Sequence, residues 1–137
     1  MKNFLAQFKT LLSPMQIVMF ETAFIFPMAD KMVPSYGGGK WASVKMGDVW
    51  GLELPVKPDA TGRVTIETPF GNSVTTDPKT ASAIFTFLIV SWQFERVYER
   101  LNEAQFRKFE AIKYAIAEFV NDKKNGFNTS DFFNLTD

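Results

Sequence analysis

Apolar residues recur at helical spacing in the first third of the chain, alternate with polar ones in the middle, and return to helical spacing at the end. Phe4, Leu5, Phe8, Leu11 and Leu12 follow three- and four-residue steps, which predicts a short amphipathic helix. Ser13-Pro14 has the form of an N-cap followed by a first-turn proline, so a second helix is expected from Pro14 towards Met32. Pro27 is expected to kink or split it near Phe26. Pro34 and the run Gly37-Gly38-Gly39 close this helical part.

Around Trp41 the period changes. Residues 41–46 alternate about a pleat, Gly47-Asp48 suits a tight turn, and Val49 to Leu54 reads as a second short strand. After a loop containing Pro55, Pro58, Asp59 and Gly62, the segment Arg63 to Thr68 alternates again and predicts a third strand, ended by Pro69 and Gly71-Asn72. Three strands joined in sequence favour an antiparallel meander with one face to be covered. Asp77-Pro78 is a second cap-and-proline pair, and Ala81 to Trp92 is apolar on nearly every side, which predicts the most buried helix. A last helix is expected from a cap near Asn102 to about Asp122, with Phe106, Phe109, Ile112, Ile116, Phe119 and Val120 on one face and Gly126 as its stop. Phe132, Phe133 and Leu135 make the tail a segment that docks. The expected architecture is α+β, one domain over 1–137. Four or five helices pack on one small three-stranded antiparallel sheet, with helices in 1–33, sheet in 40–75, helices in 77–122 and the tail in 123–137.

Composition narrows the chemistry. The 137 residues contain fifteen Phe, no Cys and no His. Without Cys there is no disulfide, thiolate nucleophile or thiolate zinc site, and without His no Ser-His-Asp or Cys-His machinery and no imidazole-bound metal. The commonest general base is missing, so catalysis is not expected. Fifteen Lys and Arg balance fifteen Asp and Glu, which lacks both the basic excess of a nucleic-acid binder and the acidic excess of a DNA mimic. Thr80 to Phe94 carries no charge, but its fifteen residues fall short of the roughly 20 that cross a bilayer. Lys2 and Lys9 precede an apolar run with no small-x-small cleavage site, so the protein is expected to stay in the cytoplasm, away from membranes.

Two places invite a chemical reading. The glycine run followed by Lys40 has the flexibility of a phosphate cradle, but a phosphate loop joins a strand to a helix and follows its Lys with Ser or Thr, whereas here a helix precedes and Trp41 follows. A turn between helix and strand, with Tyr36 and Trp41 as contact anchors, is the better reading. Glu21, Asp48 and Glu53 are the acid–base candidates, Glu21 because it lies amid apolar residues. The mixed charges from Glu95 to Lys108 read as a solvated helix surface.

The passage Met28-Ala29-Asp30-Lys31-Met32-Val33-Pro34-Ser35-Tyr36-Gly37-Gly38-Gly39-Lys40-Trp41, followed by Met46-Gly47-Asp48-Val49-Trp50-Gly51-Leu52-Glu53-Leu54-Pro55, resembles the antirestriction proteins of the ArdB/KlcA family. Thr75 to Ser82 is similar to that family's approach to its long buried helix, and Phe106 to Phe119 to its last one. The chain departs from the family at the turn Met46-Gly47-Asp48, which is leaner than the usual Gly-Gly version. A His-Pro-Glu-like segment after Phe119 is also missing, leaving Asp131 or Asp137 as the stand-in for an acidic residue near the C-terminus.

The resemblance implies a non-enzymatic inhibitor of host type I restriction endonucleases, encoded by a phage or plasmid and acting by protein contact. The loop from Tyr36 to Trp41 and the neighbouring hairpin are the candidate contact surface, with Tyr36, Gly38, Gly39, Lys40, Trp41, Asp48 and Trp50 as its residues. Expected partners are the type I restriction–modification complex or another defence protein, with no direct binding to nucleic acid. A symmetric dimer is the expected form if the chain self-associates. The alternatives are an inhibitor of a different defence system on the same scaffold, or a small-molecule binder whose pocket is lined by Glu21, Asp48 or Glu53.

Overall fold

The computed structural model describes all residues, 1–137. Its helices are α1 (Lys2–Ala6), α2 (Pro14–Met19), α3 (Phe26–Met32), α4 (Pro78–Val97), α5 (Glu103–Asn121) and α6 (Thr129–Thr136), and its strands are β1 (Ala42–Met46), β2 (Val49–Glu53), β3 (Val64–Glu67) and β4 (Ser73–Thr76). α2 and α3 are joined without a break by a π-helical segment, Phe20–Ile25, so they form one rod and the fold has five rods.

Local chemistry starts the helices where the sequence predicts. Ser13 and Gln16 cap each other's backbone N–H groups at the start of α2, Asp77 accepts from the N–H of Thr80 at the start of α4, and Asn102 and Gln105 repeat the reciprocal cap on α5. At the other end of α5 a short 3-10 turn leads to Gly126 at φ 74°. The expected kink or split near Phe26 takes the form of the π segment, which ends at Ile25, just before α3 begins. In a regular helix the ring of Pro27 would press on the carbonyl four residues back. Here the N–H of Phe26 reaches the carbonyl of Glu21, five residues back, and the wider turn makes room for the ring.

One core runs through the molecule. α4 lies at its centre, buried on most of its circumference, and aromatic contacts tie the other helices to it: Phe94 to Phe109 of α5 at 5.2 Å, Phe109 to Phe8 at 5.3 Å, and Phe87 to Phe132 of α6 at 5.6 Å. The tail docks as expected, and does so as a helix, with Phe132 and Leu135 buried.

The expected three-stranded meander is not present. β1 pairs only with β2, and β3 pairs with β4, a strand that the sequence reading did not contain. Side chains explain why β3 does not join β2. The Gln7 amide works like a peptide group at the edge of β2, donating to the carbonyl of Trp50 at 2.7 Å and accepting from its N–H at 3.0 Å. Thr86 Oγ1 accepts from the N–H of Leu52 at 3.0 Å, and Ser82 Oγ accepts from the N–H of Leu54 at 2.9 Å. Gly51 lets α4 come this close: a Cβ there would run into Met46 Sδ and lie 3.4 Å from Thr86 Cγ2. With that edge occupied, the chain turns away after β2. The Asp59 carboxylate organises the turn by accepting from Thr61 Oγ1 at 2.6 Å and from the N–H groups of Thr61 and Arg63. These bonds, led by the Thr61 hydroxyl, hold the Asp59 carboxyl below its ordinary range.

Thr86→Val keeps the shape of the side chain and leaves the buried Leu52 N–H without an acceptor, so it is expected to lower stability by about 1–3 kcal/mol in urea unfolding. Thr86→Ser keeps the hydroxyl and should cost less. Equal losses in the two variants would mean that the hydroxyl does not hold the strand.

Candidate functional site

The passage from α3 to β1 is the feature the sequence marked most strongly, and it is a fastened turn. Tyr36 forms an isolated antiparallel bridge with Val56, and its N–H bonds the carbonyl of Val33 at 2.9 Å. The Trp41 indole N–H donates to the Tyr36 hydroxyl at 3.2 Å, and the Trp41 ring lies 5.6 Å from Phe85 and 6.0 Å from Phe26. Trp41 is only 8% exposed, so it is a core residue that anchors the loop and offers no ring to a partner. Tyr36 is half-buried and serves the same packing. Gly38 and Gly39 take φ values of 90° and 129°, and a Cβ on Gly39 would stand 2.9 Å from the Pro55 Cβ. Lys40 is exposed, and the helix-to-strand turn is the reading that this geometry fits.

The remaining candidates lie along the β1–β2 hairpin. Asp48 is exposed at its tip, while Trp50 is half-buried with the Lys45 ammonium 4.8 Å from its ring. The loop and the tip do not meet. The length of β1 separates them, about 3.4 Å for each residue. Lys40 thus stands at one end of β1 and Asp48 at the other.

The acid–base candidates are dispersed as well. Glu53 borders a groove, Asp48 is at the hairpin tip, and Glu21 is half-buried on the π segment. No three acidic side chains converge as a metal site. Asp131 lies in the first turn of α6, with Oδ2 3.9 Å from Arg63 Nη2.

The groove was not legible in the sequence. It encloses about 710 Å³ between the Val44 face of the hairpin, the N-terminal turns of α4 and the segment after α5. Val44, Leu54, Val56, Phe119 and Phe127 give it apolar walls, and the charged residues along it are Lys45, whose ammonium turns to the Trp50 face, Lys79, Lys124 and Glu53, the one carboxylate. Lys79 donates to the carbonyl of Asn125 and lies 4.4 Å over the Phe127 ring, which fixes the segment after α5 against α4. Lys124 is 3.4 Å from Asp122 and otherwise in solvent. Four separate parts of the chain build this groove, so no single run of residues marks it.

No helix is long and apolar enough to cross a membrane. Neither protein-family models nor curated proteins match this sequence. The family resemblance is therefore carried by the residue pattern alone.

Gly39→Ala is expected to lower stability by about 1–3 kcal/mol, because the new residue is forced into a left-handed conformation against Pro55. Gly37→Ala, which meets open space, should stay within about 0.5 kcal/mol of the wild type. Thermal or urea melts of the two variants compare them directly, and equal melts would mean that Pro55 does not pin the loop.

Proposed function

We propose that this protein inhibits a host defence enzyme by direct contact, and that the enzyme is a type I restriction–modification complex. One observation carries the reading: the two segments that resemble the antirestriction family form a single packed unit. Residues 28–41 and 46–55 are joined through the Gly39–Pro55 contact, and the bridge from Tyr36 to Val56 extends the join by one residue. The segments are thus two parts of one surface, with the exposed Lys40 and Asp48 at the ends of β1. The even balance of charge favours contact through shape and backbone over imitation of DNA charge.

On this reading the protein catalyses no reaction, needs no cofactor and works in the cytoplasm of a bacterial host. Tyr36 and Trp41 support the surface from beneath, so alanine at either position probes folding, and the residues that probe contact are Lys40, Asp48 and the exposed part of Trp50.

The test is the plating efficiency of unmodified phage on cells with a type I restriction system, with and without the protein, and with a type II strain as control. Rescue is expected on the type I strain alone. The charge reversals Lys40→Glu and Asp48→Lys together should cut the rescue by about tenfold or more without loss of soluble protein. Soluble protein without rescue would overturn the proposal.

A further inference from the structure

The two edges of the β1–β2 hairpin are unlike. In an antiparallel pair, residues directly opposite each other turn their N–H and C=O groups either both towards the partner strand or both away from it. Trp50 and Leu52 turn theirs away from β1, since these groups bond Gln7 and Thr86. Lys45 is opposite Trp50 and Ser43 is opposite Leu52, so the N–H and C=O groups of Lys45 and Ser43 point outward from β1. No loop or side chain of the molecule bonds them. Helices close the β2 edge, and the β1 edge is left open beside the groove.

We propose that β1 is the docking edge for an extended acidic segment of a partner protein, which adds to the hairpin as a third strand next to β1. The backbone supplies the ladder through Ser43 and Lys45, and the added strand's side chains alternate between the two faces. On one face they meet the apolar groove walls at Val44 and Phe119, and the exposed Lys124 ammonium, 3.4 Å from Asp122, lines the same groove. On the other they meet the Lys45 ammonium beside Trp50, next to α1, whose Phe4 N–H donates to Ser43 Oγ on the same face. Lysine therefore flanks both faces of the incoming strand. A second copy of this chain fits the edge poorly, because its β1, Ala42–Met46, carries Lys45 and no carboxylate to meet the lysines already there. This deepens the reading above by supplying the means of contact, and it rests on that reading only for the identity of the partner.

The test uses the full chain and three labelled synthetic peptides: one alternating Val and Glu, one alternating Val and Lys, and the acidic one with prolines replacing alternate residues so that it cannot form a ladder. Fluorescence anisotropy measures binding, and amide hydrogen exchange followed by NMR locates it. The Val-Glu peptide is expected to bind at least about tenfold more tightly than the other two and to slow exchange at Ser43 and Lys45. Lys45→Gln with Lys124→Gln should weaken it by about tenfold with the fold unchanged, as both side chains lie in solvent. Lys45→Pro removes one outward donor at an edge position that tolerates proline and should abolish binding. If that variant does not fold, the exchange data on the wild type still decide. No binding of the acidic peptide, binding that leaves Ser43 and Lys45 exchange unchanged, or protection of these amides by self-association in the absence of peptide would each overturn the proposal. None of these results depends on phage plating, so failure here and failure of the antirestriction reading are separate.

Discussion

The Thr86 hydroxyl accepts the N–H of Leu52 at 3.0 Å while its own proton is directed at the Ser82 carbonyl, 2.8 Å away on the preceding turn of α4. With Gln7 on Trp50 and Ser82 on Leu54, it completes a row of side chains that takes the place of a strand. A two-stranded ribbon is marginal in water, and burying one of its edges without partners for the backbone would cost about 1–3 kcal/mol for each orphaned group. Here short polar side chains on the central helix satisfy that edge and let the ribbon sink into the core. Gly51 permits the close approach, and α1 is placed over the hairpin by Gln7 at the β2 edge and by a separate bond from the Phe4 N–H to Ser43 Oγ of β1 at 3.0 Å.

Once the helices occupy the β2 edge, the rest of the middle region follows. The chain cannot add β3 there, so the turn built on Asp59 leads it away and β3 finds its own partner in β4. The hairpin is left with one satisfied edge and one open edge. Along the open edge lie the two positions where the sequence pointed to contact, Lys40 at one end and Asp48 at the other, and beside it lies the lysine-flanked groove. The asymmetry of the hairpin thus connects the packing of the core to the surface through which the protein is proposed to act.

The sequence was legible where the cause was local. The caps at Ser13, Asp77 and Asn102, the turn at Gly47-Asp48, the buried character of α4 and the docking of the tail all follow from residues a few positions apart. What it hid was set at long range. β4 has only one large apolar residue, Val74, in four, and the choice of β3's partner depends on hydroxyls of Ser82 and Thr86 that look like helix filler in the sequence. The π segment is the local exception: it answers Pro27, two residues beyond its end, through a five-residue hydrogen bond that periodicity does not reveal. Trp41 sits in a glycine-rich passage typical of an exposed loop, and its burial comes from Phe26 and Phe85, far apart in the chain. Of the candidate contact residues, Lys40 and Asp48 remain free on the surface, Trp50 is half covered, and Tyr36 and Trp41 are structural. The carboxylates weighed as a catalytic group lie apart because they belong to three different elements.

Native-state hydrogen exchange on the free protein, resolved by residue, tests the central claim most directly. The account predicts slow exchange at the amides of Trp50, Leu52 and Leu54, which are held by Gln7, Thr86 and Ser82, and fast exchange at Ser43 and Lys45 on the opposite edge. Equal protection on both edges, or a Leu52 amide that exchanges as fast as Lys45, would contradict it.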